Sequence, residues 1–160
     1  MHAAAADWVQ RWAPTDPVRV LDIGGRNVNG TPAGAFHPDS VFTVVDKLAG
    51  ENVDWVGDIL DYTSVDLFNV VCHLEVAEHS PDWAMHLGYA RDLLADGGVL
   101  IFTAAGHGRA PHSAVDGLTV RPGEHYENVD AVHLARVLAA AFSSHVVDVA
   151  GEDVRATAWR

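Results

Sequence analysis

Two rhythms of apolar positions run along this chain. The stretch Ala5–Ala13 has the spacing of a short amphipathic helix, stopped by Pro14. Mostly apolar runs then recur, rich in β-branched residues: Val18–Ile23, Val41–Val45, the shorter Val53–Val56, Leu67–Cys72 and Val99–Thr103. Such runs mark strands buried on both faces of a sheet. Between the fourth and fifth, Ser80-Pro81-Asp82 reads as a helix start, with Ser80 as cap and an acid at the positive end. Trp83, Leu87, Ala90 and Leu94 follow at helical spacing, and Gly97-Gly98 stops that helix.

Past the fifth strand the rhythm fails. Residues 104–127 are irregular and rich in Gly, His and Pro, and a loop of that length in a compact domain is a functional or mobile segment. Asn128 then reads as the cap of a last helix with apolar positions Ala131, Leu134, Ala135, Leu138 and Phe142. Two strands close the chain, His145–Val149 and Val154–Trp159. Their connection through Gly151-Glu152-Asp153 is short enough for a hairpin, so the last strand should run antiparallel. Strands alternating with helices predict an α/β protein, a three-layer sandwich around a mostly parallel sheet. No repeat or linker divides residues 1–160, which are read as a single domain.

Composition narrows the function. The formal charge is −12, which argues against a broad phosphate-binding surface and hence against nucleic acid as a partner. A lone cysteine, Cys72, excludes an internal disulfide and a cysteine-based zinc site and reads as a small buried apolar residue. The first residues lack the basic and apolar regions of a signal peptide. No apolar run approaches the roughly 18 residues of a membrane span. The expectation is a soluble, cytoplasmic protein.

Chemistry concentrates where the predicted strands end. The first runs into Leu21-Asp22-Ile23-Gly24-Gly25-Arg26-Asn27-Val28-Asn29-Gly30, a turn whose glycines permit positive φ and close approach of a ligand. In open α/β sheets ligands bind at the carboxyl ends of the strands. Asp46, at the end of the second strand and followed by Lys47, is placed to accept hydrogen bonds from both hydroxyls of a ribose. Gly57-Asp58-Ile59 follows the third strand, where a carboxylate can accept from an adenine amino group and an apolar side chain can cover the ring. His73-Leu74-Glu75 follows the fourth. Four strand ends converge on something like an adenosine. The turn contains no G-x-G-x-x-G, so a dinucleotide is disfavoured.

These segments resemble the class I S-adenosylmethionine-dependent methyltransferases, the seven-stranded Rossmann-like kind, and among them the small methyltransferases of type 11. VLDIGGRNVNG is similar to the family's first motif, FTVVD to its ribose-binding strand end and VGDI to its adenine-binding turn. FNVVCHLEVAEHSPDW resembles its fourth-strand segment, and LLADGGVLIFT its helix, Gly-Gly and fifth strand. One departure is that Arg26 and Val28 stand where the family commonly has glycine. The resemblance implies S-adenosylmethionine as cofactor, bound by Asp22, Gly24, Gly25, Arg26, Asp46, Lys47, Asp58, Ile59, His73, Leu74 and Glu75. It implies methyl transfer to a small-molecule or glycan acceptor, with the loop 104–127 over it. His79 is the first candidate for a base and His107 the second. The alternative is a non-catalytic domain of the same fold that binds the cofactor or a partner. His107, His112 and His125, with Asp116 and Glu124, match no ligand spacing, so no metal is expected. Nothing in the sequence addresses the oligomeric state.

Overall fold

The computed structural model describes residues 2–160. One seven-stranded sheet organises them. Its strands are β1 (Arg19–Ile23), β2 (Val41–Asp46), β3 (Trp55–Val56), β4 (Phe68–Leu74), β5 (Leu94–Ala105), β6 (Ser144–Ala150) and β7 (Asp153–Trp159). Across the sheet they stand in the order β3-β2-β1-β4-β5-β7-β6. The first five are parallel, and β7 pairs antiparallel with both β5 and β6. The expected class therefore holds: α/β, Rossmann-like, mostly parallel, with an antiparallel end.

Side-chain alternation along the strands creates two cores, one per face. Val20, Val70, Cys72 and Ile101 point to one face and pack against Trp8 and Val9 of helix α1 (Ala3–Trp12). Leu21, Val71, Leu100 and Phe102 point to the other and meet Leu87 and Ala90 of α2 (Trp83–Leu93) with Leu134 and Leu138 of α3 (Ala131–Ala141). Both faces being covered, the central strands need few polar residues, which is why they read as nearly continuous apolar runs. Gly151, at φ +64°, supplies the positive φ of the two-residue turn between β6 and β7. No helix among the described residues is long and apolar enough to cross a membrane.

Several boundaries differ from the sequence reading. α2 ends at Leu93, because Leu94 already pairs with Phe68 on β4; Ala95–Gly98 then loop out, with Gly97 at φ +73°. Ser80 is not the helix cap: Asp82 holds that position, and the Ser80 hydroxyl accepts from the Asp82 N–H at 3.3 Å. Nor does Asn128 cap α3. Asp130 does, its carboxylate accepting from the His133 N–H at 2.7 Å, while Asn128 donates to the Arg109 carbonyl. β3 shrinks to two residues at the sheet edge. β4 runs two residues past Cys72, because His73 and Leu74 find partners in Phe102 and Thr103 of β5.

Candidate active site

Strand order reverses between β1 and β4: the chain proceeds outward from β1 to β2 and β3, then returns to β4 on the other side. The carboxyl ends of these strands diverge there, and a crevice opens. It forms a cavity of about 870 Å³, walled by the glycine turn after β1, by Asp46 and Lys47, by Gly57 and Ile59, by Leu74 and Glu75, and by the loop from Arg109 to Thr119.

The glycine turn is built for contact. A Cβ on Gly25 would lie 2.5 Å from an Asp22 carboxylate oxygen and 2.8 Å from Val44, and one on Gly24 would lie 2.2 Å from Val76. Gly24 also has φ +70° and donates to the Val45 carbonyl. Asn52, which the sequence reading passed over, laces the turn to β2's far side. Its amide donates to Gly25 O at 2.7 Å and accepts from Asn27 N at 2.9 Å. Asp46 reinforces the same turn: one carboxylate oxygen accepts from Arg26 N at 3.1 Å and the other from Leu48 N at 2.8 Å. Each oxygen keeps a second lone pair for a ligand.

Asp22 lies beneath the turn, 2% exposed. Burial, seconded by the nearby Asp46 carboxylate, pushes its pKa up to about 7. The folded protein thus holds a proton that the unfolded chain releases near 3.8. The resulting stability is fully present below pH 4 or so and is lost as the pH rises to about 7, by at most about 1.4 kcal/mol per pH unit. Asp22→Asn should lose that part of the slope, keeping the part due to Glu78, whose carboxyl burial and the Glu75 charge push up to about 8. Denaturant melts at pH 5, 6.5 and 8 measure it, and an unchanged slope would mean that Asp22 is solvated.

Arg26 does not point at open space. Its guanidinium donates to Val115 O at 2.8 Å, reaching across the cavity mouth to the irregular loop, and Nε stands 4.0 Å from Asp46. Gly50 makes room for it, since a Cβ there would lie 2.7 Å from Arg26 Cγ. Arg26→Ala should therefore speed amide hydrogen exchange in 111–118 at least tenfold while α3 stays protected. Equal protection with and without the guanidinium would remove Arg26 as the tie.

Other expected site residues are placed differently. His73 is buried within β4, stacked on Phe102 with ring centroids 5.4 Å apart, and does not line the cavity; only Glu75 follows the strand. Asp58 does not line it either. Its carboxylate takes Lys47 Nζ at 2.9 Å and caps the short turn Ile59–Asp61 through Leu60 N. Burial opposes its ionisation, but Lys47 and the Leu60 N–H prevail and its pKa is lowered. His107 is exposed and away from the wall. His79, by contrast, lines the cavity, and burial and the adjacent His112 lower its pKa to about 4, so that it is neutral.

Two features had no sequence signal. His2, just ahead of α1, lines the cavity, meets Glu75 at 2.9 Å and shares it with Arg109, which also pairs with Asp153. The loop brings His112 against His79 and Tyr126, with ring centroids 5.0 Å from each. His125 and Tyr126 stay off the cavity wall, and the five loop residues weighed as metal ligands do not form a group among the described residues.

No family model matches this sequence, and no curated protein does. Solved structures match its fold. The DhpI complex with S-adenosylhomocysteine has a TM-score of 0.70 and 20% identity over 98% of this chain and 82% of that one. The 1,6-didemethyltoxoflavin-N1-methyltransferase of Burkholderia thailandensis was solved with 1,6-didemethyltoxoflavin and S-adenosylhomocysteine. It gives a TM-score of 0.67 and 18% identity over 90% of this chain and 71% of that one. The N-terminal domain of EvdMO1, solved in the presence of S-adenosylhomocysteine and D-fucose, gives 0.65 and 16% over 99% and 83%. With the sheet order, the antiparallel end and the crevice between β1 and β4, these likenesses show that the chain has the fold of the class I S-adenosylmethionine-dependent methyltransferases.

Proposed function

We propose that this protein is an S-adenosylmethionine-dependent methyltransferase acting on a small-molecule acceptor. The observation that carries the reading is the glycine turn facing Asp46 across one cavity: Gly24 and Gly25 line it with bare backbone, packed so closely on Val76, Asp22 and Val44 that no side chain fits there, and Asp46 keeps lone pairs for a ligand. Ile59, on the same wall, offers an apolar surface for the adenine ring. Asp58, held by Lys47, would act at one remove by keeping the Ile59 turn in place. Neighbours of the same fold that were solved with S-adenosylhomocysteine support the choice of cofactor.

When bound, S-adenosylmethionine supplies a methyl group on a positively charged sulfur, already activated for displacement. The protein must then orient, exclude water and tolerate the charge. Leu74, Val76 and the loop enclose the cavity, and Glu75 sets a carboxylate on its wall; burial opposes its ionisation, yet His2 and Arg109 hold its pKa low. Neutral His79 can accept a proton from an acceptor that needs to lose one. The acceptor enters from the side of the loop Arg109–Thr119, the longest irregular segment on the cavity wall. Neighbours solved with didemethyltoxoflavin and with D-fucose are in keeping with a small polar acceptor, and a glycan is the second form it could take.

Turnover is the test. Incubation with S-adenosylmethionine and a panel of hydroxylated, amino and heterocyclic metabolites should release S-adenosylhomocysteine with at least one of them. Tight binding of S-adenosylhomocysteine without any turnover would favour the non-catalytic alternative.

A further inference from the structure

We propose that Glu78, His79 and His112 form a binding site for a divalent first-row transition-metal ion on the wall of the cavity. One ligand atom from each of the three lies within 4.8 Å of the other two. Two imidazoles and a carboxylate are the mixed nitrogen and oxygen set that zinc, iron(II), cobalt(II) and manganese accept, and that magnesium, with its demand for oxygen, does not.

The site is shaped for the purpose. Glu78 is wholly buried, which is rare for glutamate without a partner for each oxygen. Oε1 accepts from the Ala105 N–H at 3.2 Å, but Oε2 has no hydrogen-bond partner, and neither does the buried Nδ1 of His79. A buried polar atom without a partner costs on the order of 1–3 kcal/mol, and a cation would relieve both costs together. His112 carries its own orienting contact: Nδ1 stands 3.2 Å from the Ala110 carbonyl and donates to it, which leaves Nε2 with a lone pair. Metal-binding histidines characteristically use the second nitrogen in this way.

Backbone geometry delivers the ligands. Glu75, at the end of β4, has φ +57°, the one positive φ outside glycine among the described residues. That sharp bend turns the chain into the short helix Ala77–His79, which carries two of the ligands. The loop carrying the third is pinned over them, with Glu127 N donating to Glu78 O at 2.8 Å and the Tyr126 hydroxyl to Ala110 O at 3.2 Å. The other cluster of this kind, His2 with Glu75 and Asp153, already has a cation in Arg109 and needs none.

His79 and His112 line the cavity whereas Glu78 lies behind them. The ion's remaining positions therefore open towards the acceptor. This part rests on the methyltransferase reading: an acceptor that meets such an ion does so through a lone-pair donor, a hydroxyl oxygen or an amine or heterocyclic nitrogen. His79 is then a ligand and not the base expected of it.

The test uses untagged protein stripped with chelator and titrated with Co²⁺ and Mn²⁺, followed by calorimetry and by the visible absorption of Co²⁺. One ion should bind per chain, with a Co²⁺ spectrum of mixed nitrogen and oxygen ligation, and Mg²⁺ should not compete. His112→Asn and Glu78→Gln should each weaken binding at least tenfold, and His145→Asn should not. The His112 variant alters only a loop side chain, so it reports even where the Glu78 variant folds poorly. No stoichiometric binding, or affinity unchanged in His112→Asn, would overturn the site. S-adenosylhomocysteine titrated into the same metal-free protein separates the two readings. Its binding without any metal binding sinks the metal site alone; metal binding without it upholds the site and sinks the cofactor reading.

Discussion

Asp46→Ala is expected to weaken S-adenosylhomocysteine binding by about 1.5–3 kcal/mol, roughly ten- to a hundredfold, the cost of losing a hydrogen-bond acceptor that carries charge. The carboxylate faces the cavity from the end of β2, and each of its oxygens already accepts one backbone N–H, from Arg26 or Leu48. A ribose would use the lone pairs that remain. The same change frees the N–H of Arg26 in the turn and that of Leu48 after β2, so loosening of the turn must be separated from loss of the ribose contact. Asp46→Asn does this: it keeps one oxygen for the turn and loses the charge, and it should fall between wild type and alanine. Calorimetry on folded variants is the measurement. Equal affinity in all three would take Asp46 out of the site.

Trp8→Ala should lower the stability of the whole domain by about 3–5 kcal/mol, the usual cost of removing a large buried aromatic. Trp8 is 3% exposed, and its indole N–H donates to Ala156 O of β7 at 3.0 Å. The Arg155 guanidinium lies 4.9 Å from the ring centroid, and Trp12 meets the ring edge-on. One side chain thus fastens α1, the only α-helix of its layer among the described residues, to the sheet. Against a total of about 5–15 kcal/mol for a typical domain, that loss is severe. Trp8→Phe keeps most of the apolar surface and loses the indole hydrogen bond, and should cost less. The consequence reaches the cavity, because α1 begins beside His2, which holds Glu75. Urea unfolding gives the number; a loss below about 1 kcal/mol would mean that α1 is no integral layer.

Most of the sheet was legible because its strands are buried on both faces. Val20, Leu21, Val70, Val71, Leu100 and Ile101 have no solvent side, so each run is predominantly apolar and stands out from the helices. What failed was where elements end, and the reason is pairing. β4 continues through His73 because β5 offers it partners, and so a residue expected at the ligand became part of the core. α2 stops at Leu93 because Leu94 is claimed by Phe68, well before the glycines that looked like the stop. Periodicity in one segment carries no record of its neighbour's demands.

The site divided along the same line. Residues fixed by a strand end could be named in advance: Gly24, Gly25, Asp46 and Ile59 all line the cavity. Contacts that depend on the loop's path could not be read. Arg26 reaches Val115, and His112 meets Glu78 and His79, through contacts between segments far apart in the chain. His2 and Asn52 carried no signal, since a histidine before a helix and an asparagine before a strand are ordinary until the fold brings them to the turn and to Glu75.

The central claim is that the cavity between β1 and β4 holds S-adenosylmethionine. Titration of S-adenosylhomocysteine into the wild-type protein by calorimetry, with NAD as comparator, tests it most directly. One molecule should bind per chain at micromolar concentration, about −8 kcal/mol, while NAD gives no heat. No binding of S-adenosylhomocysteine, or saturable binding of NAD in its place, would contradict the account.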